Sequence, residues 1–417
     1  MSKLLIEGNR KLNGIVSIQG SKNSVLPILA ASVLCSGKCI LHNCPNLLDV
    51  DFSIKILEYL GAIVIKDGND LLIDTSTIEK YDIPDYLMKE MRSSIIFLGA
   101  ILSRLKRAKL FFPGGCELGP RPIDFHLNAF RQMGAIINEE GCALNCYANK
   151  RLNGTQIDLP LPSVGATENI MIVATLANGI TIINNAAREP EICDLARFLN
   201  ACGAKIFGAG ESLLAIEGVK KLYGTEHSII PDRIVASTFM SSAAITGGEI
   251  LLKNVVPEHL HSVISVFEEM GCEIDSLGKE MNFKSPKRLK SIKKVVTKPY
   301  PGFPTDTQAI LLAVSSIAQG ESTFIESIFK NRFGYTNELL KFGANIDLIG
   351  KSAVVNGTPK LFGANVKAFD LRGAASLIIA ALGAFGNSEI QGLKHLDRGY
   401  ENIEEKLSNL GAIIKRV

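Results

Sequence analysis

Leu60-Gly61-Ala62-Ile63-Val64-Ile65 has five counterparts along the chain, at Met133-Gly134-Ala135, Cys202-Gly203-Ala204, Met270-Gly271-Cys272, Phe342-Gly343-Ala344 and Leu410-Gly411-Ala412. The glycines recur close to every 70 residues, so the chain reads as six copies of one unit. An amphipathic stretch of helical period runs into each glycine, for example residues 51–60 and 402–410. Glycine there fits the left-handed position that closes a helix. A strand follows, as in Ile136-Ile137, Ile206-Phe207 and Ile346-Asp347-Leu348. In the first five copies a turn such as Asp67-Gly68 or Glu140-Gly141 leads to a second short strand, as in Leu71-Leu72-Ile73 and Ala353-Val354-Val355.

The sixth copy stops at Ile413-Ile414-Lys415-Arg416-Val417, one strand short. Leu4-Leu5-Ile6-Glu7-Gly8 matches the second strand of the third copy, Leu213-Leu214-Ala215-Ile216-Glu217-Gly218, and is expected to supply what is missing. Upstream of the amphipathic helices lie more uniformly apolar segments (25–34, 94–102, 170–176, 309–317 and 374–382), which must be buried on all sides. Each leads to a short strand such as Cys39-Ile40-Leu41 or Thr323-Phe324-Ile325. The unit is helix, strand, helix, strand, strand. Six units divide into two α/β domains of three, with sheets outside and helices inside. The expected boundaries are 22–230 for one domain and 1–21 plus 231–417, with both chain ends, for the other.

A chain of 417 residues with 47% apolar and 21% charged content has the make-up of a soluble globular protein. The first residues hold no apolar run of signal-peptide length, and no stretch approaches the roughly 18 apolar residues of a membrane span, so a cytoplasmic location without membrane attachment is expected. Lys+Arg 45 against Asp+Glu 42 is too balanced for a nucleic-acid partner, and any anion site must be local. The nine cysteines are expected to be thiols, and spacings such as Cys35, Cys39, Cys44 and Cys142, Cys146 lack the paired C-x-x-C of zinc sites.

The start of the buried helix carries Lys22, Arg92, Ser163, Arg233, Thr305-Asp306 and Arg372 in the six copies. Capping accounts for Ser163 and Thr305. It does not account for the cations, which oppose the helix dipole unless an anion lies between. Helix starts that converge would bind a small, multiply charged anion. In the second copy the loop after the first strand reads Pro113-Gly114-Gly115-Cys116-Glu117-Leu118-Gly119-Pro120-Arg121-Pro122-Ile123-Asp124. A lone cysteine is ordinarily buried, but this glycine-rich loop is a poor place to bury one, and a nearby cation would raise its reactivity. The sixth copy has His395-Leu396-Asp397-Arg398-Gly399-Tyr400-Glu401 at the matching place.

Taken in order, Gly20-Ser21-Lys22-Asn23, Pro113-Gly114-Gly115-Cys116, Gly119-Pro120-Arg121-Pro122-Ile123-Asp124, Ser163-Val164-Gly165-Ala166-Thr167, Ala187-Arg188-Glu189-Pro190-Glu191, Pro231-Asp232-Arg233-Ile234, Phe303-Pro304-Thr305-Asp306-Thr307-Gln308, Asp370-Leu371-Arg372 and the Arg398 loop resemble the enolpyruvyl transferase family over essentially the whole chain. The resemblance is to the UDP-N-acetylglucosamine 1-carboxyvinyltransferases within it. It implies a two-domain inside-out α/β barrel. It also implies phosphoenolpyruvate and UDP-N-acetylglucosamine as small-molecule substrates, with no cofactor and no metal. By that resemblance Lys22, Arg121 and Arg398 hold the phosphate of phosphoenolpyruvate, Arg372 with Arg398 its carboxylate, and Arg92 joins the cationic cluster. Cys116 is the general acid and the residue alkylated by the epoxide fosfomycin, Asp306 takes the proton of the sugar 3-hydroxyl, and Asn23 supports the sugar and the reacting centre. Arg121, Pro122, Ile123, Asp124, Phe125, Ser163, Val164, Gly165, Thr305 and Ile328 line the nucleotide-sugar pocket.

Leu161, Val235 and Lys330 depart from the motifs, where Lys, Glu and Glu often stand; these positions bear on nucleotide affinity and domain pairing. The shikimate 3-phosphate transferase is the nearest alternative, but its Gly-Asn-x-Gly-Thr stretch is absent. An inactive nucleotide-sugar-binding paralogue is the other. The roles implied for Cys116 predict that Cys116→Asp abolishes inactivation by fosfomycin while turnover continues, because a carboxylic acid donates a proton but attacks an epoxide poorly. Residual activity after incubation with the epoxide checks this, and persistent inactivation contradicts it.

Overall fold

A computed structural model describes residues 2–112 and 123–417. Residues 113–122, which include Cys116, Arg121 and Pro122, lie outside the described residues. The described chain divides into two compact units, residues 20–112 with 123–230 and residues 2–19 with 231–417.

Each unit is built on three helices that are covered on almost every side. In the unit of residues 20–230 these are Lys22–Ser32, Ile96–Leu105 and Val164–Ala174, which pack on one another. Every residue from Ala166 to Ala174 is buried. In the other unit Arg233–Thr246, Thr305–Ser315 and Leu371–Gly383 pack in the same way. Such helices cannot meet water, so the strands beside them alternate buried and exposed positions, as in Leu213–Glu217 and Glu249–Lys253. Each amphipathic helix ends at its repeat glycine, whose φ lies between 84° at Gly343 and 111° at Gly61. A side chain with a Cβ would be strained there.

The repeating sheet has four strands where the sequence pattern indicates three. In the first repeat Lys38–His42 pairs antiparallel with Asp70–Asp74, which pairs with Ile63–Asp67. The fourth strand, Glu226–Ser228, adds parallel to Lys38–His42 and comes from the segment after the third repeat. The same device recurs with Gln156–Asp158 on Ile180–Asn184, Lys294–Val296 on Glu321–Ile325 and Asn365–Lys367 on Asn387–Gln391. In the second repeat it shrinks to the single parallel bridge Asp82 to Lys109. Each repeat thus lends a short strand to the next, and the third lends one back to the first.

The unit with both chain ends closes likewise. Lys3–Glu7 lies between Asn387–Gln391 and Ile413–Arg416, antiparallel to both. Asn13–Ser17 then adds parallel to Glu249–Lys253. Leu4 and Ile6 are buried while Leu5 is 40% exposed, which is the alternation of a strand with one face on the core. Ile6→Ala is expected to destabilise this unit by about 2–5 kcal/mol, and Leu5→Ala by less than about 1 kcal/mol, as measured by the shift in denaturant midpoint.

Candidate active site

Lys22, Arg92, Ser163, Asp306 and Arg372 sit where the buried helices begin, because the rest of each helix is covered. In the unit of residues 231–417, Asp306 occupies the first turn of Thr305–Ser315. Its Oδ1 accepts from Arg332 Nη2 at 2.9 Å and its Oδ2 from Arg372 Nη2 at 3.3 Å. The guanidiniums are only 3% and 5% exposed, whereas the Asp306 side chain keeps 30% of its surface. Buried cations on both oxygens fix the orientation of the carboxylate.

Arg372 is the second residue of Leu371–Gly383, whose cap Asp370 accepts from the amides of Arg372 and Gly373, each at 3.0 Å. Its Nη1 also reaches Tyr400 Oη at 3.4 Å, and Tyr400 Oη shares a hydrogen with Thr238 Oγ1 at 2.8 Å. Burial works against the Arg372 charge, but the Asp306 carboxylate and the neighbouring Tyr400 and Asp232 more than offset it, so its pKa is raised and it stays cationic. Arg398 ends the short helical turn Leu396–Arg398 and is half-buried. Gln19 ties down the chain beyond it, donating to Gly399 O at 3.2 Å and accepting from Glu401 N at 2.9 Å.

In the unit of residues 20–230, Lys22 is the first residue of its helix and is buried, with Nζ 2.7 Å from Asp49 Oδ2. Asn23 beside it is half-buried, and Arg92 opens the turn Arg92–Ile95 that leads into the next helix. Ser163 caps Val164–Ala174, accepting from Ala166 N at 3.4 Å. Val164 and Gly165 are half-buried, Ile123 is buried and Phe125 half-buried, while Asp124 is exposed at the start of Asp124–Gln132.

His126 lies beneath this helix start. Asn169 accepts from Gly99 N at 3.1 Å and donates its amide to Ile95 O at 2.9 Å and to His126 Nδ1 at 3.0 Å. The ring therefore accepts at Nδ1 and is neutral, with its proton on Nε2. Burial, with the Arg92 charge adding, pushes its pKa down to about 4. Burial, followed by the nearby Glu191 and Glu189, likewise holds the Glu168 carboxyl well above the usual range.

Lys22, Asn23, Arg92, Ile123, Asp124, Phe125, Ser163, Val164 and Gly165 thus belong to one unit, and Thr305, Asp306, Ile328, Arg372 and Arg398 to the other. Among the described residues the structure joins Asp306 directly to Arg372. Thr305 differs from the capping role read from the sequence. It is the first helical residue, Pro304 is the cap, and its hydroxyl donates to Glu326 Oε2 at 2.9 Å. The anions beside the helix-start cations were not legible either. They include Asp49 next to Lys22 and the cap carboxylates Asp232 and Asp370 preceding Arg233 and Arg372. Arg332 and Glu326 were also missed, since each reaches its partner across more than twenty residues.

A profile of the EPSP synthase (3-phosphoshikimate 1-carboxyvinyltransferase) family matches residues 6–407. The chain is 49% identical over 417 residues to UDP-N-acetylglucosamine 1-carboxyvinyltransferase 2 of Caldanaerobacter subterraneus subsp. tengcongensis, covering 100% of both. It is 46% identical to UDP-N-acetylglucosamine 1-carboxyvinyltransferase of Geobacter metallireducens, again over 100% of both. Among solved structures, the enolpyruvyl transferase NikO from Streptomyces tendae superposes with a TM-score of 0.91 at 24% identity, covering 100% of this chain and 99% of that one. EPSP synthase from Acinetobacter baumannii superposes with a TM-score of 0.78 at 19% identity over 100% of both. At such identities the two structures speak to the fold alone.

The His126 environment gives a pH prediction. The folded pKa lies near 4, below the unfolded value of about 6.5, so between these values the unfolded chain binds more protons. The stability present near neutrality is lost as pH falls through this window, by about 3 kcal/mol in total. Unfolding midpoints from pH 7 to 4 should show that loss, and His126→Gln should flatten the slope.

Proposed function

The chain belongs to the EPSP synthase (3-phosphoshikimate 1-carboxyvinyltransferase) family, and we propose that it transfers the enolpyruvyl group of phosphoenolpyruvate to the 3-hydroxyl of UDP-N-acetylglucosamine with release of phosphate. This is the first committed step of peptidoglycan precursor synthesis. The observation that carries the choice of acceptor is full-length identity of 46–49% to relatives bearing that activity in their names.

The chemistry needs a base for the hydroxyl, an acid for the methylene carbon and cations for the departing phosphate. Asp306, with both oxygens oriented by buried arginines, takes the hydroxyl proton as the sugar oxygen bonds to the central carbon of phosphoenolpyruvate. Cys116 gives its proton to the methylene carbon. A proton then returns from that carbon to the Cys116 thiolate as phosphate departs, which restores the double bond in the product. Lys22, Arg121 and Arg398 take the phosphate, Arg372 and Arg398 the carboxylate, with Arg92 in the same cationic set. Asn23, Arg121, Pro122, Ile123, Asp124, Phe125, Ser163, Val164, Gly165, Thr305 and Ile328 receive the nucleotide sugar. Residues 22–230 and residues 1–21 with 231–417 are the two working halves. The reaction is placed in the cytoplasm, in cell wall biogenesis and hence in cell shape and division, with Cys116 as the target of fosfomycin.

Phosphate release by the purified protein tests the reading. Phosphoenolpyruvate with UDP-N-acetylglucosamine should give phosphate, and shikimate 3-phosphate in its place should not. Turnover of shikimate 3-phosphate alone overturns the choice, and a folded protein that releases no phosphate with either is a binding paralogue. Asp306→Ala should lower kcat by about 10² to 10⁴ with little change in the dissociation constant of the nucleotide sugar. Equal losses in both remove Asp306 as the base.

A further inference from the structure

Residues 326–332 are fastened at both ends to the start of the Thr305–Ser315 helix, through Thr305 at one end and through Thr305 and Asp306 at the other. At one end Glu326, buried to 1% exposure, follows the strand Glu321–Ile325. Its Oε2 accepts from Thr305 Oγ1 at 2.9 Å, while its Oε1 accepts from the amides of Ile328 at 2.8 Å and Phe329 at 3.0 Å. At the other end Arg332 donates Nη2 to Thr305 O at 3.1 Å and to Asp306 Oδ1 at 2.9 Å. Between the two clamps the side chain of Ile328 stands 39% exposed. One carboxylate with three donors on it therefore sets the turn that presents Ile328 and holds the residue next to Asp306.

We propose that Glu326 is a positioning residue for nucleotide-sugar recognition, making the Ile328 turn and the Thr305–Asp306 helix start a single rigid element. The identity of the ligand rests on the function proposed above. Removing the carboxylate leaves two amides and a hydroxyl without their acceptor, so the turn is released while the helix behind it stays packed. A glutamine of the same shape keeps the node. Its oxygen accepts from the two amides, and its amide donates to the Thr305 hydroxyl, which serves equally as acceptor.

The test compares Glu326→Ala and Glu326→Gln with the unaltered protein by steady-state kinetics, calorimetric titration with UDP-N-acetylglucosamine and amide hydrogen exchange. Glu326→Ala should raise KM and the dissociation constant for UDP-N-acetylglucosamine about tenfold or more, with KM for phosphoenolpyruvate changed by less than about twofold. The Ile328 and Phe329 amides should lose protection while those within residues 309–315 keep theirs. Glu326→Gln should return to within about threefold of the unaltered protein. The proposal is overturned if Glu326→Ala binds the nucleotide sugar normally, or if both substrates weaken in proportion, or if the two amides stay protected. Absence of phosphate release by the unaltered protein would instead refute the assigned reaction, and the exchange and titration data would still decide for or against Glu326.

Discussion

The burial of three helices on nearly every side constrains everything else in each unit. A helix such as Val164–Ala174, covered from Ala166 to Ala174, can offer chemistry only at an end. Its flanks need sheets that are apolar on one face, and three sheets around three helices need a closed arrangement. The lent strands provide that closure, since Glu226–Ser228 returns to the first sheet and Asn13–Ser17 to the fourth. The position of Lys22, Asp306 and Arg372 at helix starts is thus a consequence of packing.

Placing cations at those starts costs free energy, because the amide dipoles there favour negative charge. The protein offsets this with carboxylates in three ways. Asp232 and Asp370 cap the helices that open with Arg233 and Leu371-Arg372. Asp49, in the first turn of the neighbouring amphipathic helix, pairs with Lys22. Asp306 comes from the start of a second buried helix and pairs with Arg372. The same contacts that satisfy the cations also fix their direction within each unit.

This explains what was legible in the sequence. The closing glycines could be read because a positive φ marks a position by residue type, as at Gly61 and Gly411. Lys22 and Arg372 could be read because a cation at a helix start is out of place locally. The lent strands could not, since Gln156–Asp158 has three residues and no periodicity to display. Asp49 looked like an ordinary acidic residue in a first turn, and Glu326 like the polar end of a strand. Their meaning comes from partners 27 and 21 residues away, which only the fold brings near.

Burial alone does not decide the charge of a group in this protein; the partner does. His126 and Glu168 sit deep in the unit of residues 20–230, with Arg92 bearing on the imidazole and Glu191 and Glu189 on the carboxyl, and both are driven toward their neutral forms. Arg372 is as deeply buried in the other unit but faces Asp306, and its charge is reinforced. Like charge beside a buried group adds to the cost of desolvation, and opposite charge in hydrogen-bond contact reverses it. The charge that survives burial is that of helix-start cations such as Lys22 and Arg372, whose geometry the carboxylates hold.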